Sequence, residues 1–158
     1  MQSLKIVLGF ACLSLWLTGC ASFHKQDTTT LRIYEQVSSA LPPENAMEVD
    51  VPLADVKVSV SPFPFLTEKN VLSAELYNTA GGTAIFVRFD IHGTILLDEA
   101  TTRNRGQYFV TFLNNRPVAA WLVNQRILNG QFLVEGDFSD DEAKKAVDEL
   151  NKMGKANR

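Results

Sequence analysis

Few side chains in this sequence could perform catalytic chemistry. The thiols are Cys12 and Cys20, and the imidazoles are His24 and His92. Of the histidines, only His92 falls in a segment with secondary-structure signals, and one His without a Cys does not supply the usual ligand sets of a zinc site. No Gly-x-Ser-x-Gly or phosphate-cradling glycine loop is present. We therefore expect no enzyme, no metal and no cofactor. The alternative to a surface or capping His92 is a hydrolase centred on it.

Cys20 suggests another chemistry, the attachment of lipid. Lys5 and an apolar run from Ile6 to Leu17 precede it, a pattern typical of a secretory signal and too short to span a membrane. The following Leu-Thr-Gly-Cys looks like a bacterial lipobox, in which cleavage leaves Cys20 as an N-terminus that carries acyl chains such as palmitate. The alternative is an ordinary signal peptide with a chance Cys.

The surroundings of Cys20 also predict a location. An Asp directly after the lipidated Cys retains enterobacterial lipoproteins in the inner membrane, and Ala21 stands there instead. We therefore expect a lipid-anchored domain that faces the periplasm, at the outer membrane in preference to the inner. The formal net charge of −3 leaves no basic footprint of nucleic-acid binding. The expected partners are the membrane, through the lipid, and a polypeptide or envelope protein.

The rest of the chain alternates between short strands and two helices. Period-2 alternation of apolar residues predicts half-buried strands. The strands begin with residues 31–34, 47–51 and 56–60, continue with Val71–Asn78 and Ala84–Asp90, and end with Gln107–Leu113 and Gln131–Gly136. Ala80-Gly81-Gly82 predicts a hairpin connection, and Asn114-Asn115 predicts a tight turn. Pro117 predicts that the strand that follows lies at a sheet edge or has Pro117 at its first position.

The two helices complete the fold class. Thr94–Thr102 predicts a first helix. A second begins at the N-cap Ser139, with Glu142 three residues later, and is expected to end at Gly154. Its apolar stripe predicts a helix laid on a sheet. We expect an α+β domain in which an antiparallel sheet carries two helices on one face, of the ferredoxin-like or split βαβ type.

From about Phe65 to Gly154, the order of motifs resembles the head subdomain of the large periplasmic domain of SecD, a component of the Sec protein-export translocase. The matching positions are Leu66-Thr67, Phe89 to Gly93, Thr101, Asn104, Gly106, Val118, Ala120, Val123, Ile127, Gly130, Val134, Gly136, Phe138, Glu142-Ala143, Leu150 and Gly154. The resemblance implies this fold and a task in contacting extended or unfolded exported polypeptide. Trp121 departs from the family's Pro, which predicts a different loop there. SecD relatives also carry membrane helices, of which this sequence shows none, so we expect no proton-driven motor activity.

Two features could bind a partner. The segment Pro62-Phe63-Pro64-Phe65-Leu66 is an apolar loop, and Trp121 is a second candidate anchor. The alternative is that Phe63, Phe65 and Trp121 are buried in the core. Exposure of all three on one surface would favour a binding module for exported chains. Their burial beside clustered arginines would favour a structural adaptor with one envelope partner.

The second feature is a stretch of one charge sign. No Asp or Glu occurs from Ala100 to Val134, a segment that contains Arg103, Arg105, Arg116 and Arg126. Arg103 and Arg105 are candidate binding residues for lipid head groups or an acidic partner. The alternative is a solvated face that acidic residues neutralise.

These observations predict the domain organisation. We expect a lipoprotein signal peptide at 1–19, a lipidated N-terminus and tether at 20–30, N-terminal strands at 31–64, the SecD-head-like domain at 65–154 and a tail at 155–158.

Overall fold

The computed structural model describes residues 28–40, 42, 44–51 and 55–156. The expected signal peptide, the lipidation site Cys20 and most of the expected tether lie outside the described residues. The strands are β1 (Leu31–Glu35), β2 (Met47–Val51), β3 (Val56–Val60), β4 (Leu66–Thr67), β5 (Val71–Thr79), β6 (Gly82–Phe89), β7 (Tyr108–Leu113), β8 (Arg116–Leu122) and β9 (Gln131–Glu135). The helices are α1 (Ile91–Arg103) and α2 (Asp140–Ala156). Neither is long and apolar enough to cross a membrane, and this finding covers the described residues alone.

The strands pair antiparallel in three sheets with the orders β4-β1-β7-β8, β2-β3 and β5-β6-β9. The predicted α+β class, with antiparallel pairing and two helices, is confirmed. The expectation of a single sheet is corrected to three. The sheet is divided between β8 and β9. Each of these strands pairs with only one neighbour, β7 and β6 respectively, so they form the facing edges of two different sheets.

The predicted turns have the expected geometry. Asn114 and Asn115 connect β7 to β8 with φ values of 52° and 63°, a region that Asn tolerates better than most residues. The β5–β6 hairpin closes at the pair Thr79 and Gly82. Pro117 lies in β8, an edge strand as predicted, where its missing N–H interrupts no ladder on the open side.

Two hydrophobic clusters hold the sheets together. The larger cluster lies between the helices and the two larger sheets, and Ile33, Leu97, Phe109 and Leu150 are among its fully buried large members. The smaller cluster lies under the β2–β3 hairpin. Its buried members are Tyr34, Val49, Val51, Val58, Val60 and Val110. The four-stranded sheet is therefore covered on both faces, which explains why β7 alternates weakly between buried and exposed positions.

The ends of both helices differ from the predictions, for local reasons. Helix α1 begins at Ile91 because the side chain of Asp90, which the sequence analysis placed in the preceding strand, accepts a hydrogen bond from Gly93 N at 2.7 Å. Helix α2 begins as predicted, where Ser139 Oγ accepts from Glu142 N at 3.2 Å. It does not end at Gly154. A Cβ at this buried position would lie 2.5 Å from the carbonyl oxygen of Leu72, so the glycine permits close packing of α2 on β5.

Candidate functional site

An open groove of about 450 Å³ lies beside the edge strand β9. Its walls come from β6, from the end of β8, from β9 and from the loop that connects β8 to β9. The lining residues are Phe86, Trp121, Gln125, Arg126, Ile127, Leu128, Asn129, Gln131, Phe132 and Leu133. Six of these side chains are apolar and four are polar, the composition of a site that takes mixed polar and apolar ligands.

Trp121 forms the inner end of this groove. Its ring packs edge-on against Phe132 with centroids 5.5 Å apart, and it lies 6.0 Å from the ring of Phe109. Phe65 continues the row, 4.8 Å from Phe109 on the far side. Four aromatic rings thus extend from the groove across the core, and Trp121 is the half-buried member that both packs inward and lines the groove.

The β8–β9 loop, residues 123–130, is held against α1 at three points. Arg126 binds Asp98 with both nitrogens of its fork, the Nη2–Oδ2 distance being 2.9 Å, and Ile127 N donates to Thr101 Oγ1 at 3.1 Å. Gly130 has a φ of +65° and lies where a Cβ would collide with Thr94. These contacts fix the outer wall of the groove against a helix instead of leaving it as a free loop.

The ion pair in this wall also changes the protonation of its members. The hydrogen bond from Arg126 lowers the pKa of the Asp98 carboxyl, and the hydrogen bond to Asp98 raises the pKa of the Arg126 guanidinium. Both shifts favour the charged forms. The pair is therefore fully ionised at neutral pH, and it attaches the loop to α1 as a charge-assisted contact.

The structure separates the three aromatic residues proposed from the sequence. Phe63 is 79% exposed, next to a Ser61 hydroxyl that accepts a hydrogen bond from Phe63 N. Phe65 and Trp121 are half-buried in the aromatic row. Trp121 lies within strand β8, whereas the sequence analysis expected a loop there. Only Trp121 reaches the groove, since Phe63 and Phe65 lie beside β4, at the opposite edge of the four-stranded sheet.

Comparison with known proteins identifies the family. The model of the SecDF P1 head subdomain matches residues 45–151. The chain belongs to this family. No curated protein matches it. Two solved structures share the head fold at 20% sequence identity over 78% of this chain. One is SecDF in a super-membrane-facing form, with a TM-score of 0.61, of which the match covers 19%. The other is SecDF described as a membrane component that enhances protein export, with a TM-score of 0.59, of which 62% is covered.

The arginines of this SecDF head domain are largely neutralised by acids from elsewhere in the sequence. Arg103 binds Glu35 at 2.8 Å. Arg116 binds Asp137 and Glu142, at 3.3 and 2.9 Å. Within the described residues, Arg105 is exposed and has no ion-pair partner. The expected neutralisation by residues near the second helix holds for Arg116, while Arg103 and Arg105 as partner-binding residues stay a prediction.

His92 lies on the exposed side of the first turn of α1. The surface position predicted for it is the one that the structure shows. Among the residues that the structure describes, no three His, Cys, Asp or Glu side chains lie together in a way that could hold a metal ion. Hydrolytic chemistry would need a cleft that places His92 beside a carboxylate, and the groove does not contain it.

Sequence reasoning missed most of the groove residues, among them Phe86, Leu128 and Leu133. The sequence could have indicated Phe86, because alternation along β6 places it on the face opposite the buried Ile85 and Val87. Leu133 has the same relation to its buried neighbours in β9. Leu128 gave no signal, because it lies in an irregular loop whose position depends on contacts with α1.

Proposed function

We propose that this SecDF head domain binds extended or unfolded polypeptide during protein export. It is held at the periplasmic face of a membrane by lipid on Cys20, and it acts as a binding module with no enzymatic and no proton-driven motor activity of its own. The observation that carries the proposal is the groove at Trp121. Family membership supports the link to export, since one similar structure is described as a component that enhances protein export.

The composition of the groove favours an unfolded ligand. Phe86, Leu128 and Leu133 present apolar surface beside Trp121, and folded proteins bury the apolar side chains that would bind there. The side-chain amide of Gln125 adds hydrogen-bonding capacity that tolerates mixed sequences. The volume of about 450 Å³ accommodates a few side chains of an extended segment and is within the usual range of ligand sites.

The lipid anchor would keep this site close to the membrane. Seven residues, and hence eight Cα–Cα steps, separate Cys20 from Thr28, where the described chain begins. Such a segment spans at most about 28 Å when fully extended. A domain on this tether stays within a few nanometres of the membrane surface. We place it at the outer membrane, because Ala21 follows Cys20 in place of a retaining Asp.

A structural adaptor with a single envelope partner is the second candidate. The observation that favours it is the 79% exposure of Phe63, which lies outside the groove and beside β4. An exposed aromatic side chain of this kind is typical of a contact anchor in a protein interface. The two functions therefore predict different sites of contact on the same domain.

In-cell photo-crosslinking distinguishes the two functions. A photoreactive residue is placed at Leu128 in the groove, at Phe63, or at Ile91, a matched aliphatic position on α1 that is 82% exposed and outside the groove. We expect many different exported polypeptides to be captured from Leu128 and few from Ile91. Capture of one envelope protein from Phe63, with nothing from Leu128, would establish the adaptor and refute the polypeptide-binding proposal.

A further inference from the structure

The edge strands β8 and β9 meet at a single main-chain hydrogen bond. Asp137 N, just after β9, donates to Val118 O in β8 at 2.8 Å. The two strands run in opposite directions from this bond, because Trp121 further along β8 contacts Phe132 near the start of β9. The bond therefore resembles the first rung of an antiparallel ladder. The ladder is not continued, since β8 and β9 belong to different sheets.

The register of β9 shows where its remaining main-chain groups point. Phe89 N donates to Gly130 O at 2.8 Å, which makes this a hydrogen-bonded pair of the β6–β9 ladder. Bonded and non-bonded pairs alternate in antiparallel sheets, so Phe132 and Val134 also bond to β6. Leu133 and Glu135 consequently direct their N–H and C=O groups away from β6, toward the open edge.

The same reasoning applies to β8. Val123 N donates to Gln107 O at 2.9 Å, so the alternation directs the main-chain groups of Ala120 and Leu122 away from β7. That Val118 O accepts from Asp137 agrees with this register. Within the described part of the chain, the outward main-chain groups of Ala120 and Leu122, like those of Leu133 and Glu135, have no hydrogen-bond partner.

We propose that an extended polypeptide segment adds to the free edge of β9 as a further strand. This inference rests on the proposed function and specifies its binding mode. The unpaired donors and acceptors recur every second residue, which is the spacing that the main chain of an extended segment matches. Alternate side chains of the added strand fall on the two faces of β9, one set beside Trp121 and Phe132 and the other beside Leu133.

The geometry also limits the length that is recognised. The Val118–Asp137 bond closes one end of the gap, and the β8–β9 loop closes the other. The open edge is β9 itself, five residues from Gln131 to Glu135, or about 16 Å of extended chain. Main-chain bonding gives affinity without demanding a particular sequence, as a module for many exported chains requires.

Amide hydrogen exchange tests the binding mode in the full chain. The probe is a synthetic unstructured peptide of alternating valine and serine, added to the protein while exchange is followed by NMR. We expect exchange at the Leu133 and Glu135 amides to slow by about tenfold or more. The Phe132 and Val134 amides, which already bond to β6, serve as internal controls and should not change.

A matched pair of variants and a modified peptide complete the test. Glu135→Pro removes one outward N–H and leaves the β6 ladder intact, whereas Glu135→Ala keeps the N–H. We expect only Glu135→Pro to weaken peptide binding, by about threefold to tenfold. The same peptide N-methylated at every second residue should lose binding by at least about tenfold, with the protein unchanged.

The outcomes separate the two proposals. Peptide binding that leaves the Leu133 and Glu135 amides unprotected, and that N-methylation does not affect, would overturn strand addition while the polypeptide-binding function stands. Absence of peptide binding would overturn both. Protection of these amides without peptide, increasing with protein concentration, would show that a second copy of this chain occupies the edge and would also overturn the inference.

Discussion

The two edges of the β5-β6-β9 sheet differ in how their main-chain groups are satisfied. Along β5, the side chain of Asn151 in α2 closes the ladder at Ala74, accepting from its N–H at 2.9 Å and donating to its C=O at 2.8 Å. Gly154 lets the same helix approach within van der Waals contact of β5. Along β9, no helix plays this role in the described structure. The β5 edge is therefore closed to a further strand at Ala74, whereas the outward main-chain groups of β9 stay available for pairing.

The largest expected effect comes from breaking the covered edge. Gly154→Val places a branched side chain where even a Cβ lies 2.5 Å from the Leu72 carbonyl oxygen. Because a backbone atom cannot yield as a side-chain end can, we expect the free energy of unfolding to fall by about 3 kcal/mol. Urea denaturation measures it. Gly81→Ala, where the added Cβ meets no atom closer than 3.7 Å, is the control and should change stability little.

Removing Asn151 should open the β5 edge without displacing the helix. Asn151→Ala leaves the N–H and C=O of Ala74 unpaired, and we expect a loss of about 1 to 2 kcal/mol in the free energy of unfolding. Asn78→Ala, which removes an exposed Asn side chain from β5 itself, is the control. Equal stability of the two variants would show that Asn151 does not close the edge, and would remove the contrast between β5 and β9.

The apolar wall beside the open edge should contribute less. Leu128→Ser removes a side chain that is 64% exposed in the groove, and we expect a severalfold weaker affinity for an unfolded polypeptide with unchanged stability. Ile91→Ser removes a comparable exposed side chain outside the groove and should leave the affinity unchanged. Isothermal titration with a reduced, carboxymethylated protein as ligand provides the measurement. An equal loss in both variants would indicate non-specific hydrophobic contact.

The smallest effect concerns the contact that joins α2 to the N-terminal segment. Glu149 Oε2 accepts from Thr29 N at 2.7 Å, and hydrogen bonds from Thr29 lower the pKa of this carboxyl. A lowered folded-state pKa gives stability that is present above the unfolded value, about 4.3, and is lost as the pH falls through the folded value. Glu149→Gln should therefore be less stable than the parent at pH 7. The difference should disappear in acid, as unfolding curves at several pH values would show.

Local patterns predicted most of the fold. The strands of the β5–β6 hairpin, the Asn114-Asn115 turn and the edge position of Pro117 all follow from alternation and turn chemistry. The sequence patterns gave a wrong prediction where contacts between distant elements determine the role of a residue. A glycine after an amphipathic segment, such as Gly154, is typical of a helix end. Only the close approach of β5 shows that this glycine instead allows the helix to pack on the strand.

The site was less predictable than the fold for the same reason. Trp121 is a candidate from the sequence because it is the only Trp after the expected signal peptide. The apolar neighbours that make it part of a groove come from β6, β9 and a loop, and nothing local connects them. Which main-chain groups of β9 are unpaired depends on the register of β9 against β6. The hydrogen bond from Phe89 N to Gly130 O defines that register, and it is known only from the structure.

The entry of the chain into the fold has a mechanical consequence. Thr29 is fixed to α2, and β1 then runs from Leu31, opposite Leu113, to Glu35, opposite Phe109 and hence level with Trp121. The groove and the incoming chain thus lie at opposite ends of β1, about 13 Å apart along its axis. A pull on the chain before Thr28, opposed by a polypeptide held at the groove, acts along β1. The hydrogen bonds that join β1 to β4 and β7 are then loaded in shear. They bear the force together and do not break one after another.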